Sequence, residues 1–290
     1  MVTLLGLGAA IAYGAADFLG GAASRRATAL KVVGLCVPVG LAVLLVAALL
    51  TGRASGDTPT AHGLAWGFGS GLAGGTGLIA FYRALARGPM SVVAPVSALA
   101  AAVLPVMVGT LRGERLGPAV LAGVVLCLAA IGLVSMEGGG LAGGAPAGRR
   151  LLDSGPLMAV VSGAAFGVFL VLLSEAGRDG GGLWPLVAAR TAGSVVIGVA
   201  LLAVGTRGPR VSGAGTLALV VLSGVLDAAA NVLYFLAAQQ GMLSLAAVLA
   251  SLYPAVTVLL ARVVYSERLR AVQRVGLVVA LAAVALVTAG

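Results

Sequence analysis

The chain is written in long apolar runs. Stretches of about 20 mostly apolar residues, enough for a helix to cross a bilayer, lie at roughly 2–22, 30–50, 63–83, 91–111, 117–136, 156–175, 184–204, 215–237, 242–264 and 271–289. Charged and turn-forming residues collect between them, as at Ser24-Arg25-Arg26, Arg87-Gly88-Pro89, Gly113-Glu114-Arg115 and Gln239-Gln240-Gly241. The runs are continuously apolar and do not alternate with period two, which excludes a β-barrel. The pattern predicts an all-α membrane protein of ten transmembrane helices. The first run has no positive segment before it, contains Asp17 and is followed by Arg25 and Arg26. It reads as the first spanning helix and not as a cleaved signal. The longest break, near the middle, is rich in Gly and basic residues and reads as a linker.

The two sides of that break repeat each other at a constant shift of 153. Residues 84–135 laid on 237–288 agree at 17 of 52 positions without a gap. The agreements include Gly88/Gly241, Ser91/Ser244, Gly123/Gly276 and the run Glu114-Arg115-Leu116 over Glu267-Arg268-Leu269. The same shift lays Ala12-Tyr13-Gly14 on Ala165-Phe166-Gly167, and Ser70-Gly71 on Ser223-Gly224. The chain therefore divides into a first five-helix repeat over 1–137, a linker over 138–155 and a second five-helix repeat over 156–290. Five is odd, so the second repeat enters the membrane from the opposite side. Two inverted five-helix repeats are the plan of many secondary transporters, with the substrate site between the repeats.

Composition supports the membrane assignment. Sixty per cent of the 290 residues are hydrophobic and 9% are charged, against about a quarter charged in a soluble domain. The net charge of +9 would point to nucleic acid in a soluble protein. Here the basic residues sit between apolar runs, which is a topology signal, so no nucleic-acid partner is expected. Cys36 and Cys127 both fall inside apolar runs and imply no disulfide framework. The lone His62 has no partner His, so neither a metal site nor a cofactor is expected. The chain has no phosphate-loop motif for an ATPase and no Ser–His pairing in the membrane for a hydrolase. Nothing in it reads as an enzyme.

The residues resemble the EamA family of the drug/metabolite transporter superfamily. The likeness rests on five plus five helices, on Gly113-Glu114-Arg115-Leu116 after the fourth and Ser266-Glu267-Arg268-Leu269 after the ninth, and on Gly123 and Gly276 beyond them. The Ala-rich segments carrying Pro95, Pro105 and Pro254 fit as well. The resemblance implies a multi-pass transporter of the cell (inner) membrane, with exporters of amino acids, metabolites and drugs and some importers among its relatives.

Loop charge gives an orientation. Odd-numbered loops hold Arg25, Arg26, Lys31, Arg83, Arg87, Arg149, Arg150, Arg207, Arg210, Arg262, Arg268, Arg270 and Arg274, and even-numbered loops hold Arg53, Arg112, Arg115 and Arg178. Thirteen against four places the odd loops in the cytoplasm and both termini outside. The resemblance implies the reverse, with both termini inside.

Ionisable residues inside a span are costly and mark function. Asp227 lies near the middle of the eighth run, with Asn231 and Tyr234 at i+4 and i+7. The three share one helical face, able to bind a polar substrate or carry a proton. The matching residues of the third run are Gly74, Leu78 and Phe81, so only one half carries this polar face. Asp17 has Tyr13 at i−4 on a face otherwise made of Gly and Ala, and an interfacial pairing with Arg25 or Arg26 is its competing role. Arg190, within two turns of the start of the seventh run, is expected to snorkel or to meet an acid. Ser251 and Tyr253 are candidate lining of the ninth run. Glu114 and Glu267 read as caps or loop pairs, and Gly67, Gly71 and Gly75 as a close-packing seam.

These residues predict a secondary transporter working by alternating access, exporting a small metabolite, amino acid or drug, as a monomer or homodimer in the lipid bilayer. The proton is the candidate coupling ion. The alternative is a non-transporting membrane sensor or lipid-binding scaffold.

Overall fold

A computed structural model describes residues 1–85, 90–114, 117–135, 155–204, 209, 211–240, 242–265 and 271–289. Residues 138–154 of the expected linker, Gly88, Gly241, Arg115 and the Glu267-Arg268-Leu269 run lie outside this set, and Gly155 is already helical. The helices are α1 (Val2–Ser24), α2 (Ala29–Ser55), α3 (Ala61–Leu85), α4 (Met90–Leu111), α5 (Pro118–Ser135), α6 (Gly155–Ala176), α7 (Trp184–Val204), α8 (Ala214–Gln239), α9 (Leu243–Ala250), α10 (Tyr253–Tyr265) and α11 (Ala271–Ala289). No strand occurs among the described residues. In lipid every backbone polar group must be satisfied internally, and the α-helix does this within one segment.

Seven described segments are long and apolar enough to cross a membrane, and three shorter apolar helices, Val96–Leu111, Pro118–Ala130 and Ala271–Leu286, accompany them. The chain is a multi-pass membrane protein. Large apolar side chains such as Leu50, Met107, Val199, Leu202 and Leu281 are exposed on its outside, where lipid replaces water as their solvent.

The run at 242–264, expected as one helix, is two. Helix α9 stops at Ala250, Ser251 and Leu252 form a turn, and α10 begins at Tyr253. Pro254 is the cause. It has no N–H to donate and its ring clashes with the carbonyl four residues back. The turn is held by Leu252 N–H donating to Leu249 O at 3.1 Å and by Ser251 Oγ donating to Ala247 O at 2.7 Å. Helix α4 runs from Met90 to Leu111 through both Pro95 and Pro105 as a single element. The repeat mate of Pro254 is Ala101, so α4 has no proline at the equivalent place.

Exchanging the two halves maps the most extensive helix contacts onto one another. Helix α3 packs on α6 as α1 packs on α8, and α4 packs on α6 as α1 packs on α9 and α10. Helix α3 meets α7 as α2 meets α8, and α5 packs on its own mate α11. The repeated Ser-Gly pair does the same work in each half. Ser70 Oγ donates to Phe169 O at 2.9 Å, and Ser223 Oγ donates to Ala16 O at 2.8 Å. A Cβ on Gly71 would sit 1.9 Å from Ala189 O, and one on Gly224 would sit 2.6 Å from Cys36 O. Phe169 is the shifted partner of Ala16, and Ala189 of Cys36. Both seams are thus the same contact made twice.

Gly67, Gly71 and Gly75 do form a seam. Their built Cβ atoms would fall 2.3 Å from Pro185 O, 1.9 Å from Ala189 O and 2.8 Å from Val196 Cβ, so α3 lies directly against α7. Without a hydrophobic force between helices in lipid, such close backbone approach supplies the packing.

Glu114 is a cap, reaching across the repeats. Its carboxylate accepts from Leu243 N at 2.8 Å and Ser244 N at 3.1 Å. These are orphan donors at the start of α9, and a negative charge there also suits the helix dipole. Glu114→Ala is expected to cost about 2 kcal/mol, as bonds to a charged acceptor are worth about 1.5–3 kcal/mol. Thermal unfolding in detergent would show it, and an unchanged midpoint would refute the cap.

Candidate functional site

A cavity of about 270 Å³ lies between the halves, bounded by α1, α2, α3, α4, α6, α7, α8 and the α9–α10 break. This is near the lower end of the roughly 300–1,000 Å³ typical of ligand sites, so it suits a small molecule better than a bulky one. Irregular backbone at membrane depth is tolerated where it lines a cavity. The break obeys this rule, since Ala250, Ser251 and Tyr253 all line the void.

Asp17, Arg190 and Asp227 are the ionisable residues inside the spans singled out from sequence, and all three line the cavity. Asp227, on α8, forms an ion pair with Arg190 of α7. Gly40 of α2 leaves room for the guanidinium, since a Cβ there would sit 3.3 Å from Arg190 Nε. Asn231 Nδ2 donates to the Asp227 backbone carbonyl at 2.7 Å and to its Oδ2 at 3.4 Å. Asn231 therefore steadies the carboxylate from one turn away on the same face.

Asp17 lies on α1, which runs against α8, and its side chain is exposed while lining the cavity. No ion pair or hydrogen bond engages its carboxylate among the described residues. It is not paired with Arg25 or Arg26. Tyr13, one turn before it on α1, and Tyr253 line the same cavity. Their rings meet edge to face, with centroids 6.3 Å apart and planes at 64°.

One expectation needs correction. Tyr234 does not line the cavity. Its ring is fully buried in the apolar core and its hydroxyl donates to Leu170 O at 3.1 Å. Seven residues advance a helix by about 10 Å along its axis, which carries Tyr234 past the void although it shares the face of Asp227. Of the two roles expected of Arg190, snorkelling or meeting an acid, the structure shows the second. It turns inward to the ion pair, and its pairing with Asp227, 37 residues away, leaves no mark in local sequence spacing.

The cavity walls differ although the backbone is repeated. Tyr13, Asp17, Arg190, Asp227 and Asn231 have as mates Phe166, Leu170, Val37, Gly74 and Leu78. All ten of these residues line the cavity. One set makes a polar wall and the other an apolar wall. Phe169 and Ala101 extend the apolar side, and Ser97 adds a hydroxyl that is 3.2 Å from Ser162 Oγ. No group of three or more His, Cys, Asp or Glu that could hold a metal occurs among the described residues.

A family model described as the EamA-like transporter family matches residues 1–136 and again 153–289. A solved structure described only as "Crystal structure of protein" superposes with a TM-score of 0.74 at 21% identity, over 99% of this chain and 96% of the other. That likeness concerns the fold alone. No curated protein matches.

Proposed function

The chain belongs to the EamA-like transporter family, and from that premise we propose that it is a ten-span secondary transporter of the cell membrane, built as two inverted five-helix repeats over 1–137 and 156–290. It exports a small metabolite, amino acid or drug by alternating access, in exchange for protons. The substrate binds in the central cavity, against Asp17, Tyr13, Asp227, Asn231, Ser251 and Tyr253. The observation that carries the reading is the placement of Asp17, Arg190 and Asp227 together on a cavity between the two halves. Charges at membrane depth are retained where they serve a pathway. The cavity is complete within one chain, so the reading needs no second subunit.

The proton role expected of Asp227 passes to Asp17. Arg190 already neutralises Asp227. The charge of Asp17 has no such partner among the described residues, and an ionisable group open to a cavity within the spans is placed to take up and release a proton. A proton neutralises Asp17 when the site holds no substrate.

A flux screen tests the reading. The purified chain in liposomes with an imposed pH gradient is offered amino acids, nucleosides and cationic dyes. At least one class should move faster than in protein-free liposomes and stop moving when the gradient is collapsed. Flux no faster than through protein-free liposomes for every class would speak for the sensor or scaffold.

Orientation is tested separately. In a chain with Cys36→Ser and Cys127→Ala, a cysteine at Asp57 should react with an impermeant thiol reagent added outside cells, and one at Ser24 should not. The reverse pattern would place both termini inside.

A further inference from the structure

We infer that the cavity recognises a monocationic amine with an apolar body, its ammonium seated on Asp17 beside the ring pair of Tyr13 and Tyr253. The inference rests on the transporter reading and adds to it the chemical class of the substrate.

Charge comes first. The cavity residues Asp17, Asp227 and Arg190 carry two negative charges and one positive. Arg190 and Asp227 cancel. Once Asp17 has given up its proton, the site therefore holds one surplus negative charge, and it lies on Asp17. A cation is the ligand that removes it. An anion would have to displace Asp227 from Arg190 and would leave two carboxylates unpaired. A zwitterion could satisfy Asp17 with its ammonium, but its carboxylate would have to share the Arg190 guanidinium with Asp227.

The aromatic rings come second. Tyr13, one turn before Asp17 on α1, and Tyr253 line the cavity with it and form an edge-to-face pair. The electron-rich face of an aromatic ring attracts an ammonium group within about 6 Å of its centre. A carboxylate flanked by two tyrosines thus offers a cation both a counter-ion and a π surface. The repeat shows that this is a local specialisation of one half. The mates of Tyr13, Asp17 and Tyr253 are Phe166, Leu170 and Ala100.

The apolar wall comes third. Opposite the polar wall stand Leu78, Phe166, Phe169 and Leu170. An aliphatic or aromatic body lies against them without leaving a polar group unpaired. The cavity volume limits that body to about one ring with a short chain.

The test varies ligand charge on one apolar body. Calorimetry on the purified full chain in detergent compares 2-phenylethylamine, phenylalanine and 3-phenylpropanoate. The amine should bind at least tenfold more tightly than either of the others. Asp17→Asn should weaken the amine at least tenfold. Tyr253→Leu should weaken it about threefold to tenfold, in line with a cation–π contact, and Tyr253→Phe should retain binding. Equal or stronger binding of the zwitterion or the anion overturns the inference, and so does an Asp17→Asn variant that binds the amine like the wild type. The ligand series is read on the wild type, so it decides even if a variant does not fold. Binding in detergent requires no transport, so failure here leaves the transporter reading standing. Amine binding without flux would instead refute that reading alone.

Discussion

Asp227→Asn should destabilise the protein strongly, and Arg190→Val with Asp227→Ala should restore most of the loss. The single change leaves a guanidinium in the cavity wall with no counter-charge. Breaking a buried ion pair by removing one partner costs about 3–5 kcal/mol. The lower end is expected here, because the Asp227 side chain retains 33% exposure and Arg190 retains 16%. The double change removes both charges together. The other half already shows that an apolar version of this contact folds, since Val37 and Gly74 occupy the matching places. Function should separate from stability: the double variant should fold and fail to transport, because its polar wall has lost Arg190 and Asp227. Thermal unfolding and flux measured on the same preparations check both parts. A single variant as stable as the wild type would show that the pair contributes little to the fold.

Gly71→Ala should be the most damaging Gly→Ala change among the described residues. Its Cβ would sit 1.9 Å from Ala189 O, a backbone atom that moves only if α3 and α7 separate. Overpacking a tight site costs about 1–3 kcal/mol, and displacing two whole helices should reach or exceed the top of that range. Gly224→Ala, at 2.6 Å from Cys36 O, should cost less. Gly198→Ala is the control. No atom lies within 4 Å of its built Cβ, so only helix propensity changes, in favour of Ala by about 1 kcal/mol. Folded yield and unfolding midpoint of the three variants should rank Gly198→Ala, Gly224→Ala, Gly71→Ala. Any other order would contradict the seam.

Much of the fold was legible because lipid forces a simple code. An apolar run long enough to span becomes a helix, and a repeat at constant shift becomes a repeated contact. Ser70-Gly71 and Ser223-Gly224 show this: a dipeptide that recurs in sequence makes the same hydrogen bond and the same backbone approach in both halves. The site was legible residue by residue where one helix face carries it, as with Asp227 and Asn231, or Tyr13 and Asp17. What sequence could not give was the partner on another helix. Arg190 of α7 reaches Asp227 of α8 past Gly40 of α2, where a Cβ would sit 3.3 Å from its Nε. Periodicity also placed Tyr234 on the right face but said nothing of depth, and its hydroxyl was claimed by Leu170. The break at Ser251 followed from Pro254, whereas Pro95 and Pro105 left α4 continuous. A proline in sequence therefore did not by itself decide between a break and an unbroken helix.

The central claim is that the cavity between the halves opens to each side of the membrane alternately. Leu78 lies on the apolar wall of that cavity, on α3. A Leu78→Cys variant, with Cys36→Ser and Cys127→Ala to remove the native thiols, reports access to the cavity. The measurement is the rate of reaction with an impermeant thiol reagent in right-side-out and in inside-out vesicles. The account predicts reaction from both sides, slowed from both by a saturating transported substrate. Reaction from one side only, whatever the gradient, would contradict it and leave the cavity a closed-ended binding site.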